Sequence, residues 1–181
     1  METKEISKCC LDLARKSIEK YLEEKSLLQI SEKIPDFLLK NKKGVFISIF
    51  KKNNCELRGC IGTCRSIREN IAEEIIYNSL SAAFDDPRFS PLKKDELNDV
   101  YFEVSILEEP ELVKNFDELD PKVFGIIARS ETGKQALLLP GIKGITTIEQ
   151  QLSAICQKAG INPSEEKINL LRFKIEKFSE K

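Results

Sequence analysis

The sequence predicts an α+β fold of mostly antiparallel strands flanked by helices. Three observations predict it. Runs rich in β-branched and aromatic residues come in pairs joined by short polar turns, as in Gly44–Phe50 and Cys55–Gly62. Val100–Leu107 alternates apolar and polar residues at the period of a strand with one polar face. Three further segments repeat apolar residues at helical spacing. Hairpins outnumber candidate βαβ units, which separates this class from a parallel α/β fold.

Each element follows from its own residues. Ile6, Cys9, Cys10, Leu13, Tyr21 and Leu22 fall on one face of a first helix, so Cys9 and Cys10 are expected in or near the core. A turn is expected around Pro35, within Ser31–Leu38. Gly44–Phe50 reads as a buried strand, Lys51–Asn54 as a turn, and Cys55–Gly62 as the returning strand. "SIRE", Ser66 to Glu69, fits a capping box, and the stripe Ile67, Ile71, Ile75, Ala82 carries a helix to about Phe84, before "DDP". On Val100–Leu107 the apolar face is Val100, Phe102, Val104 and Ile106; Tyr101, Glu103 and Ser105 face the other way. A hairpin is expected to turn at Glu131–Gly133. A third helix is capped at Thr146 or Thr147, striped by Ile148, Leu152, Ile155 and Ala159, and stopped by Gly160 and Pro163. Ile168–Phe178 is expected to close the chain as one strand.

The chain has 181 residues and 41% hydrophobic content, enough for one domain or two small lobes. No apolar run approaches the roughly 20 residues that span a bilayer, and the first residues are too charged for a signal peptide. A cytoplasmic location is therefore expected, with the six cysteines as reduced thiols. A net charge of -1 argues against a dedicated nucleic-acid binder. Charge is nevertheless uneven: between Lys40 and Arg68 eight basic residues face Glu56 as the one acid, which predicts a positive field around Cys60.

The stretch "ELRGCIGT", Glu56 to Thr63, concentrates the chemistry. Strand alternation puts Glu56, Arg58 and Cys60 on one face and Leu57 and Ile61 on the other. Gly59 and Gly62 leave room for unusual backbone angles or for a ligand close to the main chain. A helix start at Ser66 or Ile67 adds free amides that favour an anion. Together these suggest a pocket for a carboxylate or phosphate, in a field that favours the reactive thiolate of Cys60. The competing reading is a buried structural cysteine beside a β-bulge. The chain contains no histidine, so a Cys-His pair, a Ser-His-Asp triad and a histidine-ligated zinc site are excluded. Glu103, with Ser105 and Tyr101 nearby, is the preferred general base if its strand shares a sheet and a face with Cys60. The spacing of Cys55, Cys60 and Cys64 matches no usual metal-binding pair, and nothing else in the sequence asks for a metal or a cofactor.

Four stretches, in order, carry a resemblance: "GVFISIFKKNNCELRGCIGTC", "AAFDDPRFSPL", "YFEVSILEEPE", and "GKQALLLPGIKG" followed by a helix containing "CQKAGI". From about Gly44 to Pro163 the chain resembles the AMMECR domain family, the A component of the AmmeMemoRadiSam system. The resemblance implies two unequal lobes around a cleft, the larger from the N-terminal half plus the C-terminal strand and the smaller within 110–165. It carries to that cleft Leu57, Arg58, Gly59, Cys60, Ile61, Gly62 and Thr63, then Asp86, Pro87, Arg88 and Phe89, and Glu103 and Ser105. It also implies work alongside a Memo-type protein and a radical SAM protein, and it supplies no reaction. Cys64 departs from the aromatic or aliphatic residue common at that position, and the chain lacks the tryptophan many members carry.

The resulting expectation is an enzyme or enzyme subunit that binds a small anionic ligand. Arg58 would hold the anion, Cys60 would act as nucleophile or transient acceptor, and Glu103 would move protons. Gly59, Gly62, Thr63, Asp86, Arg88 and Ser105 would complete the ligand site. A non-catalytic binding module is the rival, and nucleic-acid binding stands third.

Overall fold

The computed structural model describes residues 2–30 and 33–181, so Ser31 and Glu32 of the expected turn lie outside the described residues. The chain divides into two compact units, Met1–Leu107 with Glu176–Lys181, and Glu108–Ile175.

In the first unit a sheet of four strands has the order β2-β1-β3-β8, with β1 (Val45–Lys51), β2 (Leu57–Gly62), β3 (Val100–Leu107) and β8 (Ile175–Ser179). β1 lies antiparallel to both β2 and β3. Alternation decides which face is dry. Val45, Ile47 and Ile49 from β1 and Val100, Phe102, Val104 and Ile106 from β3 all point to one side and are almost fully buried. Against them pack helices α1 (Glu2–Glu24) and α3 (Ile71–Phe84), through Ile6, Cys10, Leu13, Ala14 and Ile18 and through Ile71, Ile75 and Ala82. Each large side chain of this kind contributes roughly 1.5–3 kcal/mol on burial. Cys9 and Cys10 meet the sequence expectation, since Cys9 packs against this core and Cys10 is inside it.

After Pro35 the chain forms a short helix, α2 (Asp36–Lys40), rather than a bare turn. A larger departure is the start of α3. The expected capping box at Ser66 does not form; Asn70 caps the helix instead, its Oδ1 accepting from the Glu73 amide at 2.9 Å. Ser66–Asn70 remains a loop.

The second unit holds a sheet of order β4-β7-β5-β6, from β4 (Glu111–Leu112), β5 (Gly125–Ser130), β6 (Gln135–Leu138) and β7 (Ile168–Phe173), all paired antiparallel. The β5–β6 hairpin turns where the sequence places it, with Gly133 at φ 87°. Helix α4 (Ile148–Ala159) is capped by Thr147 with Gln150 and ends at Gly160, φ 65°. It sets Ile155 against Ile126, Ala128 and Leu138. Ile168–Phe178 is not one strand: it breaks at Lys174, so that β7 joins the second sheet and β8 the first.

Among the described residues no helix is long and apolar enough to cross a membrane.

Candidate functional site

Cys60 lies near the end of β2, an edge strand of the first sheet. Its neighbour across the sheet is Ser48 on β1, whose own neighbour on β3 is Glu103. The three side chains therefore form one row on the face opposite the core. The row above it is Gly62, Phe46 and Ser105, and the row below is Leu57, Phe50 and Tyr101, the last two rings stacked at 5.3 Å. Cys60 and Glu103 share a sheet and a face, as the base assignment requires, yet they do not meet. Two strand spacings, roughly 10 Å, separate their backbones. Ser48 stands between them and donates its hydroxyl to the Cys60 Sγ at 3.3 Å. The Glu103 carboxylate pairs with Lys177 at 3.5 Å.

Arg58 does not share the face of Cys60 in the simple alternation the sequence suggests. Ile49 pairs with Gly59 and Phe50 with Leu57, so Arg58 is an extra residue in a β-bulge. Its guanidinium forms a bidentate pair with Glu96, Nε to Oε1 at 2.8 Å and Nη2 to Oε2 at 3.0 Å. The Arg58 side chain is 8% exposed, and its hydrogen bonds hold the Glu96 carboxyl below the ordinary carboxylate range. Other cations of the positive segment are matched as well: Lys40 with Asp36, Lys42 with Glu69, Lys51 with Glu56. Four of the eight cations of the segment are thus paired with acids, most of them from outside it.

The two glycines also have their explanation inside the protein. A Cβ on Gly59 would lie 2.2 Å from the Ala82 carbonyl of α3, and one on Gly62 would lie 2.3 Å from the ring of Phe46. They admit a helix and a ring, where a ligand was expected. The amides of the Ser66–Arg68 loop are likewise taken. Glu74, 1% exposed on α3, accepts from the amides of Ile67 and Arg68 at 3.0 Å each, from Ser66 Oγ at 3.0 Å and from Thr63 Oγ1 at 2.5 Å. The protein supplies its own carboxylate at the anion site the sequence suggested, and Thr63 serves that carboxylate. Asn78, one turn on, donates to the Val45 carbonyl at 3.0 Å.

What remains open lies along the outer edge of β2, where "DPRF" closes the strand. Asp86, 4% exposed, accepts from the Cys60 amide through Oδ2 at 2.8 Å. The same carboxylate accepts from Arg88 three times: Nη2 to Oδ2 at 2.7 Å, Nε to Oδ1 at 2.9 Å, and the backbone amide to Oδ1 at 3.1 Å. Arg88 Nη2 also donates to the Cys60 carbonyl at 3.3 Å. Carboxylate and guanidinium together do for Cys60 what a further strand would do, satisfying N–H and C=O on an otherwise bare edge. Arg88 and the two amides hold the Asp86 carboxyl down at about 2, and Asp86 in turn raises the basicity of Arg88. Arg88 is nonetheless 56% exposed, and its Nη1 makes no hydrogen bond with any described residue. Ser105 is 3% exposed, in line with Phe46 and Gly62, and Pro87 and Arg88 are exposed beside half-buried Phe89.

Sequence reasoning missed Ser48, Glu74, Asn78 and Glu96. Glu74 and Asn78 had a signal, since both interrupt the apolar stripe of α3 at core spacing, where an acid or amide requires buried partners. Glu96 had none, because it meets Arg58 only through the tertiary fold.

Among the described residues no group of three or more histidine, cysteine, aspartate or glutamate side chains is arranged to hold a metal ion.

The chain is similar to a protein of Thermotoga maritima, 39% identical over 161 residues, covering 89% of this chain and 91% of that one. A Clostridium acetobutylicum protein is 42% identical over 170 residues; these cover 92% of this chain and 34% of the relative, about a third of its length. Among solved structures, that of the uncharacterized protein PH0010 from Pyrococcus horikoshii superposes with a TM-score of 0.87 at 31% identity, covering 95% of this chain and 90% of that one. The AMMECR1 family model matches residues 11–178. With the motif residues, the fold and these relatives in agreement, the chain belongs to the AMMECR1 family.

Proposed function

We propose that this protein binds a small carboxylate- or phosphate-bearing ligand at the outer edge of β2, with the Arg88 guanidinium holding the anion beside Cys60. The observation that carries the reading is the clamp made by Asp86. One buried carboxylate fixes both the Cys60 amide and the Arg88 side chain, and so presents a half-exposed guanidinium with Nη1 uncommitted. A pre-oriented guanidinium forms charge-assisted bonds to oxyanions with little further loss of freedom. Arg58 supports the strand in this reading, because Glu96 already occupies its fork.

Cys60 is the candidate nucleophile or transient acceptor, and Ser48, which touches its sulfur, is the neighbour able to exchange a proton with it. Glu103 would act only through Ser48 or through a bound molecule. The rival is a non-catalytic module, binding the same anion within a system that includes Memo-type and radical SAM partners. That the Clostridium acetobutylicum relative carries this region within a much longer chain supports association with further protein.

The test is a titration with inorganic phosphate and with succinate, read by the amide shift of Cys60 and the Nε signal of Arg88. Saturable shifts are expected in the parent, weakened at least about tenfold, or 1.4 kcal/mol, in Arg88→Met. No saturable shift with either probe, or equal affinity in Arg88→Met, rejects the anion site. Cys60→Ser separates the rivals: unchanged binding with unchanged cellular function favours the module, and binding without function favours chemistry at the thiol.

A further inference from the structure

Of the six cysteines, Cys55 has the surroundings of a reactive thiol. It sits at the end of the β1–β2 turn, solvent-exposed, in the left-handed backbone region at φ 58°. Two groups from distant parts of the chain converge on its sulfur. The Lys181 ammonium donates to Sγ at 2.8 Å, and the nearby phenol of Tyr101 also favours the thiolate. Lys181 Nζ also lies 5.8 Å from the centre of the Tyr101 ring, so sulfur, ammonium and phenol form one cluster. The ammonium shifts the thiol towards thiolate, while burial raises Cys9, Cys10 and Cys156 away from it. Low proton affinity and exposure are together what select a cysteine for oxidation.

We propose that Cys55 and Lys181 form a peroxide-responsive pair, in which hydrogen peroxide oxidises Cys55 to the sulfenic acid ahead of the other cysteines. The thiolate attacks one oxygen of the peroxide; the S–O bond forms as the O–O bond breaks. Sulfur gives up two electrons and the peroxide takes them. The departing hydroxide receives a proton from the Lys181 ammonium and leaves as water, and the proton of the attacked oxygen stays on the product. Thiolate, ammonium and hydrogen peroxide thus become sulfenic acid, amine and water, with atoms and charge in balance. Lys181 has two roles, holding the thiolate before the step and neutralising the leaving group during it.

The pair is independent of the anion site: it needs neither Arg88 nor Cys60. The experiment treats the full chain with a slight molar excess of hydrogen peroxide in the presence of dimedone, and follows adducts at all six cysteines by peptide mass spectrometry. Cys55 is expected to carry the first adduct, several-fold faster than any other cysteine, and at the same rate in Cys60→Ser. Lys181→Met is expected to slow it several-fold. Lys181→Arg keeps the charge but cannot release a proton near neutral pH; it should remain slower than the parent. Prior labelling of another cysteine, or an unchanged Cys55 rate in Lys181→Met, overturns the proposal. A parent-like rate in Lys181→Arg overturns the proton transfer.

Discussion

Asp86 shows how one buried side chain can fix a strand edge and a neighbouring guanidinium at once. It satisfies the Cys60 amide on a strand edge and fixes Arg88, and its own charge is met by four hydrogen bonds. Because folding depresses its pKa to about 2, its contribution is fully present above the unfolded value near 4 and is lost as pH falls through about 2. The contribution is on the order of 2 kcal/mol. Asp86→Asn should therefore destabilise the protein at pH 7 and flatten the fall in stability between about pH 4 and pH 2, as measured by urea denaturation across that range. An unchanged acid limb would mean that Asp86 is not the group that titrates. Arg58 and Arg88 make the complementary point. They are chemically identical, both lie near Cys60 in the fold, and only the partners that tertiary structure gives them separate a buried strut from a half-exposed side chain.

At the level of elements, β2 and α3 form where their local sequence predicts, and each departs from its local pattern where a tertiary partner intervenes. The capping box at Ser66 was a valid local pattern, but Glu74 recruits Ser66 and the next two amides to a buried carboxylate, and Asn70 takes the cap. The strand alternation through Arg58 was likewise sound until a bulge, invisible without the partner strand, added a residue to the count. Gly59 follows from that bulge. It turns its bare Cα to α3, and the close approach leaves no room for a methyl group. Gly59→Ala is expected to cost about 1–3 kcal/mol through overpacking, seen as a lower urea midpoint with an unchanged slope. Full stability in that variant would show that α3 can move away without loss.

For the molecule as a whole, two separate clusters of buried residues accompany the two sheets. Within the second unit Ile155 is fully buried in the cluster it shares with Ile126, Ala128 and Leu138. Ile155→Ala should cost about 2–5 kcal/mol by opening a cavity there, and hydrogen exchange should report it as lost protection of the β5, β6 and β7 amides. Undiminished protection would place the stability of that sheet elsewhere.

By itself the sequence determined the α+β class, the helices α1 and α4, the hairpins, the two faces of β3 and the family. These depend on periodicity, turn chemistry and short motifs, all of which act between residues near in the chain. Only the tertiary structure decided that Ile168–Phe178 serves two sheets, that Glu103 is separated from Cys60 by Ser48, and that Arg58 belongs to Glu96 while Arg88 stays open. Each of those outcomes depends on which groups meet across 12 or more positions of sequence, as Ser48 meets Cys60, Cys60 meets Asp86 and Lys181 meets Cys55. Buried polar groups take whichever partner the fold brings within hydrogen-bond reach, and that choice leaves no periodic trace in the chain.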